Sequence, residues 1–266
     1  MKAQKLMNNK KIEAVFFDMD RTLLEPRTNE ISPASLQAIR NLQKKGILVC
    51  PATFRDLCRL PEAPGVKWDG YIMNGGAAIY DEKKQVMADQ CLDVRTLKKI
   101  ARRAAEEGVP VYFEGETRFI TDLNEEVKDF LDYYGLYPIL VDDYKEQPVS
   151  SVTLITSDQQ AADRILKGIR KVEAVYGGMK NFDLYPKGVS KATGIARFLQ
   201  AKGLDENAFV CFGDSNADIS MLEQAQIGVA VGWADEKVRK AADYITVSEP
   251  GAAIAGTLAA LHLIGA

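Results

Sequence analysis

The sequence predicts an α/β protein, a doubly wound parallel-sheet (Rossmann-like) core interrupted by an inserted α+β domain. Three observations carry this prediction. At both ends of the chain, short apolar, β-branched runs alternate with amphipathic helical stretches, the rhythm of parallel strands joined by crossover helices. Several of these runs end in carboxylates or hydroxyls, at the carboxyl edge where such sheets bind ligands. Between about Glu82 and Pro186 the rhythm changes to hairpins and separate helices. The expected division is therefore a core of residues 1–84 and 187–266, with an insertion of residues 85–186.

Taken in order, "AVFF" is a buried strand that emerges at Asp18. Ser32-Pro33 reads as N-cap and first helical position of a helix closed by Gly46. "ILVCPATF" is a second buried strand ending near Thr53, and "WDGYIMNGGAAIYD" is a strand, a Gly-Gly turn and a returning strand. In the insertion, Asp93 to Glu107 is an amphipathic helix with Gly108 past its end. "VPVYFEG" and "TRFIT" read as a hairpin, Asn124 to Tyr134 as a helix, "SVTLIT" as a strand, Asp158 to Val172 as a helix, and "NFDLYP" as a strand. The doubly wound pattern resumes with a helix from Ser190 to Ala201 and the strand "AFVCFGDS". A helix from about Ala217, the strand "IGVAV" and a closing helix complete the chain, with His262 near its end.

Composition excludes several classes of chemistry. Net charge is −3 with both signs interspersed, and 47% of residues are hydrophobic. No basic surface for nucleic acid or membrane is expected. The polar start "MKAQKLMNNKK" has no apolar leader pattern, and no later run approaches membrane-spanning length. A soluble, cytoplasmic protein is expected. Four cysteines lie far apart with no C-x-x-C pair, against both a disulfide framework and a zinc site. With one histidine, chemistry must rest on carboxylates, lysines, hydroxyls and a hard metal ion.

Four places could carry that chemistry. Asp18 and Asp20 follow the first strand one residue apart; two such charges at the rim of a core repel and lose solvation, so a cation is expected to offset them. Thr53, with Arg55, follows the second strand, where a hydroxyl and backbone N–H groups can hold a phosphate oxygen, although an ordinary N-cap threonine is an equal reading. Asp214 follows an apolar strand and a glycine that permits a tight bend, and Asp218 opens a helix, where it could simply favour the dipole. Lys191 stands in a first helical turn, where a cation opposes the dipole; a residue placed against local preference points to function, and a solvated lysine is the alternative. Together they fit magnesium-assisted phosphoryl transfer: Mg²⁺ prefers oxygen ligands, an aspartate forms an acyl-phosphate, and a second acid protonates the leaving group.

The order D-x-D-x-T, a Thr after a strand, a Lys, then G-D-S-x-x-D resembles the haloacid dehalogenase superfamily of phosphatases. "DMDRTLL", "NGGAAIYD", "GVSKATGI", "GDSNADISML" and "VAVGWADEKVRKAADYIT" resemble its Cof-type, large-cap sugar-phosphatase branch from about Ile12 to Leu261. The resemblance implies Asp18 as nucleophile, Asp20 as general acid/base, and Thr53 and Lys191 on the phosphoryl group. It implies Mg²⁺ held by Asp18, the Asp20 backbone carbonyl and Asp214, with Asp218 supporting the shell. The insertion would be a cap that selects a small phosphorylated metabolite.

Four positions depart from the pattern: Arg21 and Phe54 where glycine is usual, Ala217 in place of Asn, and Trp233 where Asn is common. Arg21, Phe54 and Ala217 are thus candidate substrate contacts, with Arg55 beside Thr53. Arg21 could clamp a second anionic group or simply point to solvent. Glu114, Arg118 and Tyr185 in the insertion are further candidates for which exposed surface charge is the favoured reading. A phosphatase with altered specificity or rate is expected. A phosphate-binding protein that has lost turnover is the alternative, and a phospho-accepting receiver a weaker one, since it would lack Asp20 and the insertion. No G-x-x-x-x-G-K-[ST] loop suggests a kinase. Oligomeric state is left open.

Overall fold

A computed structural model describes residues 11–25, 28, 30–115, 118–137, 139–146, 149–177, 179–246 and 250–265. The first ten residues, most of the polar start, lie outside these. The chain forms two compact units, one of Met1–Asp89 with Ser190–Ala266 and one of Gln90–Val189.

The first segment runs β1 (Ala14–Phe17), α1 (Pro33–Lys44), β2 (Leu48–Pro51), β3 (Gly70–Met73), β4 (Ala78–Asp81) and β5 (Val86–Asp89). The second unit follows with α2 (Val94–Glu107), β6 (Val111–Gly115), β7 (Phe119–Ile120), α3 (Glu125–Tyr134) and β8 (Leu140–Val141). It is completed by β9 (Val149–Ile155), α4 (Gln159–Leu166), β10 (Val172–Tyr176) and β11 (Asn181–Pro186). The chain then returns through α5 (Lys191–Ala201), β12 (Phe209–Gly213), α6 (Ile219–Gln224), β13 (Ile227–Ala230), α7 (Glu236–Ala241), β14 (Tyr244–Ile245) and α8 (Pro250–Ala260).

The first unit is built on a five-stranded sheet ordered β14-β13-β12-β1-β2, every pair parallel. β1 lies inside it, between β12 and β2, with all four residues buried, which requires cover on both faces. Val15 and Phe17 face one core with Ile39 and Leu42 of α1 and Ile254 and Leu258 of α8. Ala14 and Phe16 face the other, with Ile195 and Phe198 of α5, Met221 of α6 and Val238 of α7. Each such large apolar side chain contributes about 1.5–3 kcal/mol on burial. Edge-on contacts of Phe16 with Phe198 and Phe209, at centroid distances of 6.0 and 5.4 Å, add to that packing. A bridge from Ala52 to Ile72 links β2 to the antiparallel β3-β4-β5 sheet.

The helices begin as the sequence predicts. Ser32 caps α1, Asp93 caps α2 and Asn124 caps α3, each side chain accepting a backbone N–H of the first turn. The second unit is a six-stranded sheet, β10-β11-β9-β6-β7-β8. Leu97 and Ile100 of α2 and Ile165 of α4 pack on its Phe113, Val152 and Leu184.

Several elements differ from expectation. The helix expected over Asp158 to Val172 stops at Leu166, and Val172–Tyr176 is an edge strand. Leu166, Ile169 and Val172 continue a helical apolar spacing, but Gly168 adopts φ +69° and turns the chain. Val86–Asp89, expected in the insertion, pairs with β4 and belongs to the first unit. The helix expected from Ala217 begins as a tight 3₁₀ turn over Asn216–Asp218. In place of one closing helix there are α7, the short β14 and α8, and His262 lies beyond α8. Cys50 and Cys211 are buried in strands. Among the described residues no helix is long and apolar enough to cross a membrane.

Candidate active site

All the candidate core residues gather at the carboxyl edge of the parallel sheet. Asp18 leaves β1 with its N–H on Phe212 O, at 3.0 Å. Thr53 leaves β2 one residue after Ala52, whose N–H donates to Phe17 O at 2.7 Å. Asp214 leaves β12 beside them. The apolar strands end in register, so their first polar residues emerge on one rim.

Lys191 links these ends. It is the first residue of α5 and only 2% exposed, so the solvated alternative does not hold. Its Nζ donates to Asp18 Oδ1 at 2.5 Å and to Asp218 Oδ1 at 2.6 Å. Burial pushes the ammonium towards its neutral form, but the charges and hydrogen bonds of Asp18 and Asp218 outweigh it and hold its pKa above the ordinary lysine range. The unfavourable helix dipole is offset the same way.

Asp218 organises the loop around it. Its Oδ2 accepts from Asp214 N at 3.0 Å, Ser215 N at 2.9 Å and Ser215 Oγ at 3.0 Å, while Oδ1 holds Lys191. With both oxygens engaged and no exposure, it does far more than favour a helix end. Gly213 matters through its missing side chain rather than through a bend. It is the last residue of β12, and a Cβ there would lie 2.5 Å from Asp218 Cβ.

Burial pushes the Asp18 carboxyl up to about 7, with Asp218 and Asp20 adding to the rise and Lys191 opposing it. Burial, then Asp18 and Asp218, push Asp214 up to about 8, opposed by Arg21 and Lys191. One carboxylate oxygen from each of Asp18, Asp214 and Asp218 lies within 4.8 Å of the others. This clustered oxygen donor set, short of positive charge, suits a hard divalent cation. Asp20 is not in that group; the resemblance implies its backbone carbonyl, not its side chain.

The two acids one residue apart diverge. Arg21, between Asp20 and Thr22, takes a left-handed conformation (φ 61°) in the turn Met19–Leu23. Asp18 turns to Lys191, whereas Asp20 is gripped by Arg55 through Nε at 3.0 Å and Nη2 at 2.5 Å. Arg55 Nη1 donates to Arg59 O. Its guanidinium, a candidate substrate contact, is thus placed on Asp20. Thr53 is fully buried, and its Oγ1 accepts from Arg55 N at 3.2 Å. Phe54 and Ala217 sit on the loops after β2 and β12 and offer no polar side-chain group.

Some contributors escaped the sequence reading. Thr22 Oγ1 points to Asp214 Oδ1 at 3.5 Å, and the T of D-x-D-x-T was the available signal. Trp233 Nε1 donates to Arg21 O at 2.7 Å. The Gly-Gly turn packs on the start of α5: a Cβ on Gly76 would lie 2.1 Å from Ser190 O. Only glycine permits that approach, which seats the helix carrying Lys191.

Fold and cluster define an α/β protein with three buried carboxylates grouped around one buried lysine at the rim of its parallel sheet. Residues 15–258 match the haloacid dehalogenase-like hydrolases, and the chain belongs to that family. It is 25% identical to the 5-amino-6-(5-phospho-D-ribitylamino)uracil phosphatase YcsE of Bacillus subtilis, over 88% of this chain and 90% of that one. It is 27% identical to phosphoglycolate phosphatase 1 of Saccharolobus solfataricus, over 90% and 91%. Among solved structures, the phosphatase BT1666 of Bacteroides thetaiotaomicron superposes with a TM-score of 0.88 at 26% identity, over 97% of both chains. The subclass IIB sugar phosphatase BT4131 gives 0.86 at 28%, over 95% of this chain and all of that one. The resemblance drawn from the motifs is thereby borne out.

Proposed function

We propose that this hydrolase is a Mg²⁺-dependent phosphatase acting on a small phosphate monoester, a sugar phosphate in class, through an aspartyl-phosphate on Asp18. The carrying observation is the placement of Asp18, a buried strand-end carboxylate bonded to Lys191 and grouped with Asp214 and Asp218. Lys191 has three N–H donors, two of them on Asp18 and Asp218, which leaves one for a phosphoryl oxygen. Thr53 Oγ1 accepts from Arg55 N, so its own proton is available for a second.

An Asp18 oxygen attacks phosphorus as the bond to the leaving oxygen breaks, and Asp20 gives its proton to the departing alkoxide. Asp20 then takes a proton from water, whose oxygen attacks phosphorus and releases Asp18 with inorganic phosphate. Both Asp20 oxygens accept from Arg55 here, so the oxygen that carries the proton would leave the guanidinium while the other stays held by it. Mg²⁺, held by Asp18, Asp214 and the Asp20 carbonyl with Asp218 behind them, would neutralise charge between carboxylate and phosphate. The second unit would select the leaving group. Glu114 and Tyr185 in its sheet are buried, unlike ordinary surface residues.

The test is phosphate release from sugar phosphates, nucleotides and an aryl phosphate, with Mg²⁺ and with EDTA, alongside Asp18→Asn. Release that needs the metal and disappears in the variant supports the reading. Full turnover by Asp18→Asn would sink it. Thermal stabilisation by phosphate with no release from any compound would favour a binding protein.

A further inference from the structure

Arg21 and Trp233 are 212 residues apart in sequence and meet at the acid cluster. Both depart from the residues that the motif resemblance implies. A non-glycine side chain at φ 61° costs on the order of 1 kcal/mol, so its surroundings must hold it there. Trp233 Nε1 fixes its carbonyl at 2.7 Å, and its Nε lies 3.5 Å from Asp214 Oδ2.

The three grouped acids are not held alike. Asp18 is fastened to Lys191 at 2.5 Å, and Asp218 carries four close hydrogen bonds. The side-chain oxygens of Asp214 are met at longer range, by Thr22 Oγ1 and Arg21 Nε, each at 3.5 Å. Asp214 is thus the acid most open to a new partner, and Arg21 is the cation already facing it.

We infer that Arg21 is an internal counter-cation for Asp214, holding that carboxylate in the metal-free protein and yielding it to the divalent ion, so that it sets the protein's Mg²⁺ affinity. The inference rests on the proposed metal site. Guanidinium cannot shed its proton, so an ion entering between Asp18 and Asp214 meets a fixed positive charge beside one of its ligands. The side chain is 46% exposed. It can swing into water while Trp233 keeps its backbone pinned, so affinity is reduced rather than abolished.

The experiment is calorimetric titration of the whole protein with MgCl₂ at about pH 9, where Asp214 is ionised, without substrate, for wild type, Arg21→Gly, Arg21→Asn and Arg21→Lys. Gly and Asn both accept the left-handed backbone, so the neutral variants keep the turn. Both should bind Mg²⁺ roughly tenfold more tightly at low ionic strength, with the gap narrowing in salt. Arg21→Lys, which keeps the charge, should stay within about twofold of wild type. In thermal melting the neutral variants should gain more from added Mg²⁺ than wild type does. Equal or weaker binding by both neutral variants, with wild type still titrating, would overturn the counter-cation role alone. No saturable Mg²⁺ binding by wild type or any variant would overturn the metal site and this role together.

Discussion

Lys191 Nζ lies 2.5 Å from Asp18 Oδ1, across 173 residues of chain, and 2.6 Å from Asp218 Oδ1. One buried ammonium therefore serves two buried carboxylates, and the consequences of losing each partner differ.

Lys191→Met leaves two acids without their cation, while Asp18→Asn leaves Lys191 still paired with Asp218. Breaking a buried pair from one side costs roughly 3–5 kcal/mol. The lysine variant should lie near the upper figure and the Asp18 variant clearly below it, as read by urea unfolding of metal-free protein. Equal losses would mean that Asp218 does not share the charge. Turnover by Lys191→Met should fall by about 10²–10³, as for other removed charge-stabilising donors.

The seat of that lysine is open to a separate test. Gly76→Ala puts a methyl group against the Ser190 carbonyl, a backbone atom that cannot swing away, at φ +97°. It should cost about 1–3 kcal/mol and lower kcat by displacing the start of α5. Gly203→Ala is the control. Its φ is also positive, at +72°, but nothing lies within 4 Å of the added carbon. That variant should lose about 1 kcal/mol and keep its kcat.

Metal uptake should be linked to protons. In the metal-free protein Asp18 and Asp214 are pushed up to about 7 and about 8, chiefly by burial. Near neutral pH the folded state therefore retains protons that bound Mg²⁺ would expel, since cation ligands act as carboxylates. Affinity should rise as pH increases from about 6 through 8 and level off near about 9, above the higher of the two values. Calorimetry at pH 7 in buffers of different ionisation heat should register proton release. Equal apparent enthalpies in those buffers would contradict this linkage.

Asp93 predicts an opposite pH effect in the second unit. Its hydrogen bond from Lys171, then that from Thr96 N–H, hold its pKa at about 2 against an ordinary 3.8. A depressed acid contributes stability that is present above the unfolded value and is lost as pH falls through the folded one. Both side chains are substantially exposed, so most of the effect is the N-cap of α2. Asp93→Ala should cost about 1 kcal/mol at pH 7. The difference from wild type should shrink between about pH 4 and pH 2 in acid-dependent melting.

Much of the protein was legible as local pattern. "AVFF" is buried on both faces of a strand because four consecutive apolar residues cannot alternate with solvent. Ser32, Asp93, Asn124 and Ser190 cap helices because their side-chain oxygens reach first-turn N–H groups. Asp18, Thr53, Asp214 and Lys191 were visible as polar residues at strand ends and a helix start, and their residue types already implied a hard cation and phosphate. The helix expected to run to Val172 shows the limit of this reading. Apolar spacing carried straight through Gly168, and only the backbone turn there separates helix from edge strand.

Partnership was not legible, because it depends on where separated strand ends fall in space. Sequence by itself determined which groups lie on the rim: strand and helix ends are set by neighbours in the chain. Only the tertiary structure decided that Asp20 faces Arg55, that Arg21 faces Asp214 under Trp233, and that Lys191 binds two acids. Charge pairing acts over a few ångströms whatever the number of intervening residues, and the β1–β12 register and the seat of α5 bring these charges within that range.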